Sequence, residues 1–99
     1  LVGQREQMSI DNFALEVETH ADKLFPARTD ASMFMKLFSE LGELVEDGSE
    51  EEYADVMIML LDYGSRKMFR IEKAIRAKME INNKRQWKQN ELGVMKHVE

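Results

Sequence analysis

The sequence predicts an all-α fold, and three observations carry that prediction. Apolar residues recur at three- and four-residue steps in successive stretches from Ile10 to Met79, which is the helical period. Two breaks are chemically definite, one at Phe25-Pro26 and one at Gly48-Ser49. The 99 residues include no cysteine, so residues 1–99 are expected to form one domain without disulfides, near the size where a single core is adequate but not generous.

Taken in order, Ile10, Phe13, Ala14, Val17, Ala21 and Leu24 predict a first amphipathic helix from about Gln7 to Lys23. His20 sits beside its apolar stripe and reads as a partly buried histidine at the core edge. Pro26 cannot continue a helix and pushes Phe25 out of the helical region, so Phe25 to Asp30 is a loop. Thr29 or Asp30 then caps a second helix whose apolar residues begin at Met33 and Phe34 and continue through Leu37, Phe38, Leu41, Leu44 and Val45.

Gly48 suits the left-handed backbone that ends a helix, and Ser49 with Glu52 three residues on reads as a capping box that starts the next. So short a connection makes the two helices antiparallel neighbours, an acidic hairpin over residues 33–63. At about 1.5 Å of rise per residue, Glu43 and Glu52 lie roughly 7 and 6 Å from the turn, and Glu40 and Asp55 roughly 12 and 10 Å. Each helix therefore carries two acids three residues apart, and the pairs sit level. With helix axes about 8 to 10 Å apart, these carboxylates come within reach of a shared hard cation such as Mg²⁺, which would relieve their repulsion. Each pair taken alone also reads as a solvated helix face, and Glu52 has its rival role in the capping box.

The third helix is apolar nearly all round from Val56 to Leu61, which predicts burial on more than one side and, in a small domain, a partner chain. Gly64 weakens this helix without necessarily ending it. Ile71, Ala74, Ile75 and Met79 give a fourth amphipathic helix ending near Asn83, and Lys78, Asn82 and Arg85 follow at steps of four and three. Basic residues and asparagine also suit a helix C-terminus for purely structural reasons. Residues 88–99 show little periodicity and are expected to form a tail, with Val94, Met95 and Val98 available to dock, while Trp87 closes the domain or reaches a neighbouring chain.

Glu40-Leu-Gly-Glu43-Leu followed by Glu51-Glu52-Tyr-Ala-Asp55-Val resembles the ExxE and ExxD signature of the MazG-like all-α nucleoside triphosphate pyrophosphohydrolases. Lys78-Met-Glu-Ile-Asn82-Asn-Lys-Arg85-Gln-Trp87 is similar to that family's lysine, asparagine and arginine segment, so the resemblance spans roughly Lys23 to Trp87. It implies a four-helix MazG-like bundle completed by oligomerisation, as a homodimer or a dimer of dimers, with a short break near Met68 to Arg70. Glu40, Glu43, Glu52 and Asp55 would be its metal ligands and catalytic acids, holding Mg²⁺ with Mn²⁺ as the substitute. Lys78, Asn82 and Arg85 would contact phosphates or nucleotide. The segment before the second helix would help form the pocket, which makes Phe25 a candidate base-stacking residue. Many members carry a further acid at the position of Ser39, and its water-orienting role has no counterpart here.

The activity this implies is Mg²⁺-dependent cleavage of a nucleoside triphosphate into monophosphate and pyrophosphate, as in nucleotide-pool house-cleaning. The rival is a catalytically silent helical interaction module with a solvated acidic hairpin. Other hydrolytic machinery is missing, since there is no cysteine, no glycine-rich phosphate loop, and no ExxH pair at His20 or His97. A net charge of −5 disfavours nucleic acid or a membrane surface as partner. No apolar run approaches the roughly 20 residues of a membrane span, so the expected location is the cytoplasm.

Overall fold

The computed structural model describes residues 9–89 and 93–98. Four helices follow in order, α1 Ile10–Leu24, α2 Asp30–Asp47, α3 Glu50–Arg66 and α4 Ile71–Lys84, then a two-stranded hairpin of β1 Gln86–Gln89 and β2 Met95–Val98. The predicted start of the first helix at Gln7 lies outside the described residues, as do positions 90–92 and 99 of the tail and the Trp87 side chain.

Local chemistry sets the helix ends. Ser9 caps α1 by accepting from the Asn12 N–H at 3.2 Å. Thr29, one of the two residues foreseen for the role, caps α2 in a full capping box with Ser32, through bonds of 3.1 and 2.9 Å. Gly48 closes α2 at φ 65°, the left-handed conformation that favours glycine. Its N–H donates to the Leu44 carbonyl at 2.8 Å. Ser49 then opens α3 by accepting from the Glu52 N–H at 3.2 Å.

The third helix is the centre of the packing. α3 lies against both α1 and α2, whereas α4 rests mainly on α1. Ala14, Val17 and Leu61 form the core, with Ile10, Met57 and Ile71 packed around them. Gly64 has a packing role here, since a Cβ there would come within 3.1 Å of Ile71 Cδ1. The helix passes through it and stops at Arg66, and the corner beyond holds Met68 at φ 60°. Tyr63 joins the corner to α2, with ring centroids 4.9 Å from Phe34 and 5.9 Å from Phe69.

This core is small for the chain. Val56 and Leu61 are buried, but Ile58 and Leu60 of α3 are exposed, as are Phe38, Leu41 and Val45 along α2. α3 is thus covered on two sides, by α1 and α2, but not all round within a single chain. None of the described helices is long and apolar enough to cross a membrane.

Two expectations need correction. The unpatterned tail forms an antiparallel ladder pairing Gln86 with Val98, Trp87 with His97, Lys88 with Lys96 and Gln89 with Met95. Backbone hydrogen bonds make such a ladder without an apolar period in so short a strand, which is why the pattern did not reveal it. His20 is exposed instead of partly buried, because the α1 face that carries it turns toward an open cavity.

Candidate active site

The α2–α3 hairpin brings three of the four expected acids together, and Asp55 is not one of the three. Ligand oxygens of Glu40, Glu43 and Glu52 all lie within 4.8 Å of one another. Glu40 is buried, Glu52 and Asp55 are half-buried, and Glu43 is exposed. Their charges act on one another. The Glu43 carboxyl is raised above its ordinary range, chiefly by the charge of Glu40 and then by desolvation. Burial raises the Glu52 carboxyl first, and Glu43 and Asp55 add to it.

Only half of the capping box at this turn is made. Ser49 accepts from Glu52, but the Glu52 carboxylate does not return the bond, and its Oε2 is buried with no hydrogen-bond partner. A buried acceptor left this way is costly unless a cation or proton reaches it. The donor set is all oxygen, so it fits a hard divalent ion.

Beside the acids opens a cavity of about 430 Å³, within the range of small-molecule sites. Ala21, Phe25, Met33, Ile58 and Met59 give it apolar walls, and Glu40 and Asp55 form one edge. His20, Ser32, Lys36 and the Arg28–Asp62 pair complete it. A larger trough of about 650 Å³ between Ser9 and Glu80 is open surface. Its Asp11 caps α4 and its Glu72 pairs with Arg76, so the chemistry belongs to the smaller cavity.

Three residues of this site escaped the sequence reading. Arg28 donates from Nε and Nη2 to the two oxygens of the buried Asp62, each at 2.8 Å. Nη2 also reaches Asp22 at 2.8 Å and Nη1 the Phe25 carbonyl at 3.1 Å, and the hydrogen bond to Asp62 leads in raising the guanidinium pKa. Lys36 pairs with Glu40 at 3.0 Å. An acid at the end of the apolar run, seven residues beyond Asp55, was a signal for Asp62, and the i,i+4 spacing was one for Lys36. Nothing local marked Arg28.

Lys78, Asn82 and Arg85 are placed differently. Lys78 is exposed and Asn82 half-buried on α4, and Arg85 follows the helix with extended backbone, φ −91° and ψ 152°. The expected single helical face therefore holds for the first two only. None of the three is among the residues lining the cavity.

No protein-family model matches the chain. A dATP/dGTP diphosphohydrolase of cyanophage S-2L is 35% identical over 86 residues, which cover 84% of this chain and 82% of that protein. A dATP/dGTP diphosphohydrolase of Salmonella phage PMBT28 is 40% identical over 80 residues, 79% of this chain but only 28% of that protein. Among solved structures, a cyanophage S-2L MazG-like pyrophosphohydrolase bound to dGDP and three catalytic Mn²⁺ ions per active site superposes with a TM-score of 0.82. That match has 33% identity and covers 91% of this chain and 92% of the other.

Proposed function

The chain belongs to the MazG-like pyrophosphohydrolase family, and on that footing we propose that it cleaves purine deoxynucleoside triphosphates, dATP and dGTP, to monophosphate and pyrophosphate. The observation that carries the reading is the convergence of Glu40, Glu43 and Glu52 within 4.8 Å beside a nucleotide-sized cavity. Support for the purine deoxynucleotide comes from the two relatives and from the dGDP of the S-2L structure.

In this reading Glu40, Glu43, Glu52 and Asp55 hold divalent cations, Mg²⁺ or Mn²⁺. When bound, these supply Lewis-acid stabilisation of charge developing on the phosphate oxygens. A carboxylate not taken up by the ions would orient the attacking water. The apolar wall of Ala21, Phe25, Met33, Ile58 and Met59 would receive base and deoxyribose, leaving the triphosphate at the acid edge. Removal of surplus or non-standard deoxynucleotides suits such an activity.

The test is pyrophosphate release from dATP, dGTP, ATP and dCTP with Mg²⁺, with Mn²⁺ and with chelator. Cation-dependent turnover favouring dATP and dGTP is expected. Equal turnover of dCTP would remove the purine assignment, and turnover in chelator would remove the metal centre.

A further inference from the structure

Lys36 reaches into the acid cluster from the cavity side, one helical turn before Glu40. Glu40 is 7% exposed, and a carboxylate so buried, within 4.8 Å of two others, needs a counter-charge. Lys36 Nζ provides it at 3.0 Å, and its charge also acts on Glu43 and Asp55. The arrangement is weakly held. The lysine side chain is 64% exposed, its four-carbon stem is flexible, and a lysine placed N-terminal to its glutamate is the less favourable order for an i,i+4 pair.

We propose that Lys36 is an exchangeable cation of the site, paired with Glu40 in the cation-free protein and transferred to the polyphosphate of the nucleotide once Glu40 is taken up by a divalent ion. This rests on the acid cluster being the metal centre. An ammonium 3.0 Å from a carboxylate oxygen competes with any other cation for that oxygen. On losing the pair, Lys36 still lines the cavity where an anionic ligand would lie. Arg28 cannot take this part, because four of its N–H donors are already committed to Asp62, Asp22 and the Phe25 carbonyl. Lys36 is thus the lining cation whose partner is the one a metal would claim.

The exchange predicts effects of opposite sign on two equilibria, which a merely structural lysine would not show. In Lys36→Met, Mn²⁺ binding to the nucleotide-free protein, read as free Mn²⁺ by electron paramagnetic resonance, should tighten about threefold or more. Binding of a non-hydrolysable α,β-imido dATP at saturating Mn²⁺, read by calorimetry, should weaken about tenfold or more. Lys36→Arg, which keeps the charge, should stay near wild type in both, and Lys36→Gln serves if the methionine variant fails to fold. Wild-type protein that takes up no Mn²⁺ would overturn the metal centre and this proposal together. Wild-type uptake, with both affinities of the variant unchanged or both weakened, would overturn the exchange alone.

Discussion

Arg28 and Asp62 are 34 residues apart and form a two-toothed pair, with both hydrogen bonds at 2.8 Å. The pair ties the α1–α2 loop to the far end of α3, and through the Phe25 carbonyl it fixes one wall of the cavity. Arg28→Ala strands the Asp62 carboxylate, which is 4% exposed. The expected cost is about 3 kcal/mol, at the low end for a broken buried pair because the cavity admits water. Urea unfolding should show the midpoint falling with an unchanged slope. A loss below about 0.5 kcal/mol would mean that the pair is dispensable.

Asp11 caps a helix to which it does not belong. Its oxygens accept from the Ile71 N–H at 3.0 Å and the Glu72 N–H at 2.9 Å, while Arg70, at the cap position itself, makes no side-chain capping bond. Asp11→Ala should cost about 1 to 2 kcal/mol, lowering Tm by roughly 4 to 8 °C per kcal/mol. Mn²⁺ affinity should not change, since the cap lies outside the acid cluster. A Tm equal to wild type would show that α4 holds without it.

Repulsion among the acids gives the cation-free protein a pH signature. Glu43 and Glu52 have carboxyls raised above the ordinary value of 4.5. A carboxyl raised by folding contributes stability that is fully present below its unfolded value and lost as pH rises through its folded value. Cation-free Glu43→Gln should therefore melt above wild type at neutral pH, and the gap should close as pH falls through the raised folded value toward 4.5. Saturating Mn²⁺ should reverse the order, since only the wild type keeps the full ligand set. Melting curves that stay parallel across this window, with and without Mn²⁺, would argue against a coupled cluster.

What the sequence made legible was local in chain position. Gly48 and Ser49 announced the hairpin, and counting back and forward from them set Glu43 level with Glu52 and Glu40 level with Asp55, because helical rise is regular. The Asp11 cap and the Arg28–Asp62 pair span 60 and 34 residues, and no period or spacing links positions that meet only through packing. Arg85 misled for the opposite reason. Its spacing continued the face of Lys78 and Asn82, but α4 ends at Lys84 and the chain turns extended toward β1.

Self-association is expected from the surface the single chain leaves open. Phe38 and Val45 on α2 are 74% and 87% exposed, and Ile58 and Leu60 on α3 are nearly half exposed. Light scattering at micromolar concentration should report a dimer or a dimer of dimers, and Phe38→Glu should shift it toward monomer. A wild type that stays monomeric there would refute the association.

Lys78 and Arg85 carry the last prediction, because spacing and structure pull in different directions. Neither residue lines the cavity of the single chain, and α4 rests mainly on α1. A part in nucleotide binding therefore requires a second copy or a displacement of α4, whereas a structural part needs only the helix end where they stand. The two roles differ in what substitution changes. If they bind phosphates, Lys78→Ala and Arg85→Ala should each lower catalytic efficiency by about 1.5 to 3 kcal/mol, the range for a charged hydrogen bond, and leave Tm nearly unchanged. If they complement the α4 C-terminus, stability should fall by about 0.3 to 1 kcal/mol and kinetics should hold. The Phe38→Glu background adds the deciding arm. A phosphate role delivered by a second copy should be lost on dissociation, so the alanine substitutions would then cost nothing further in turnover. The same loss of efficiency in monomer and oligomer would place both side chains at their own chain's site, through a movement of α4.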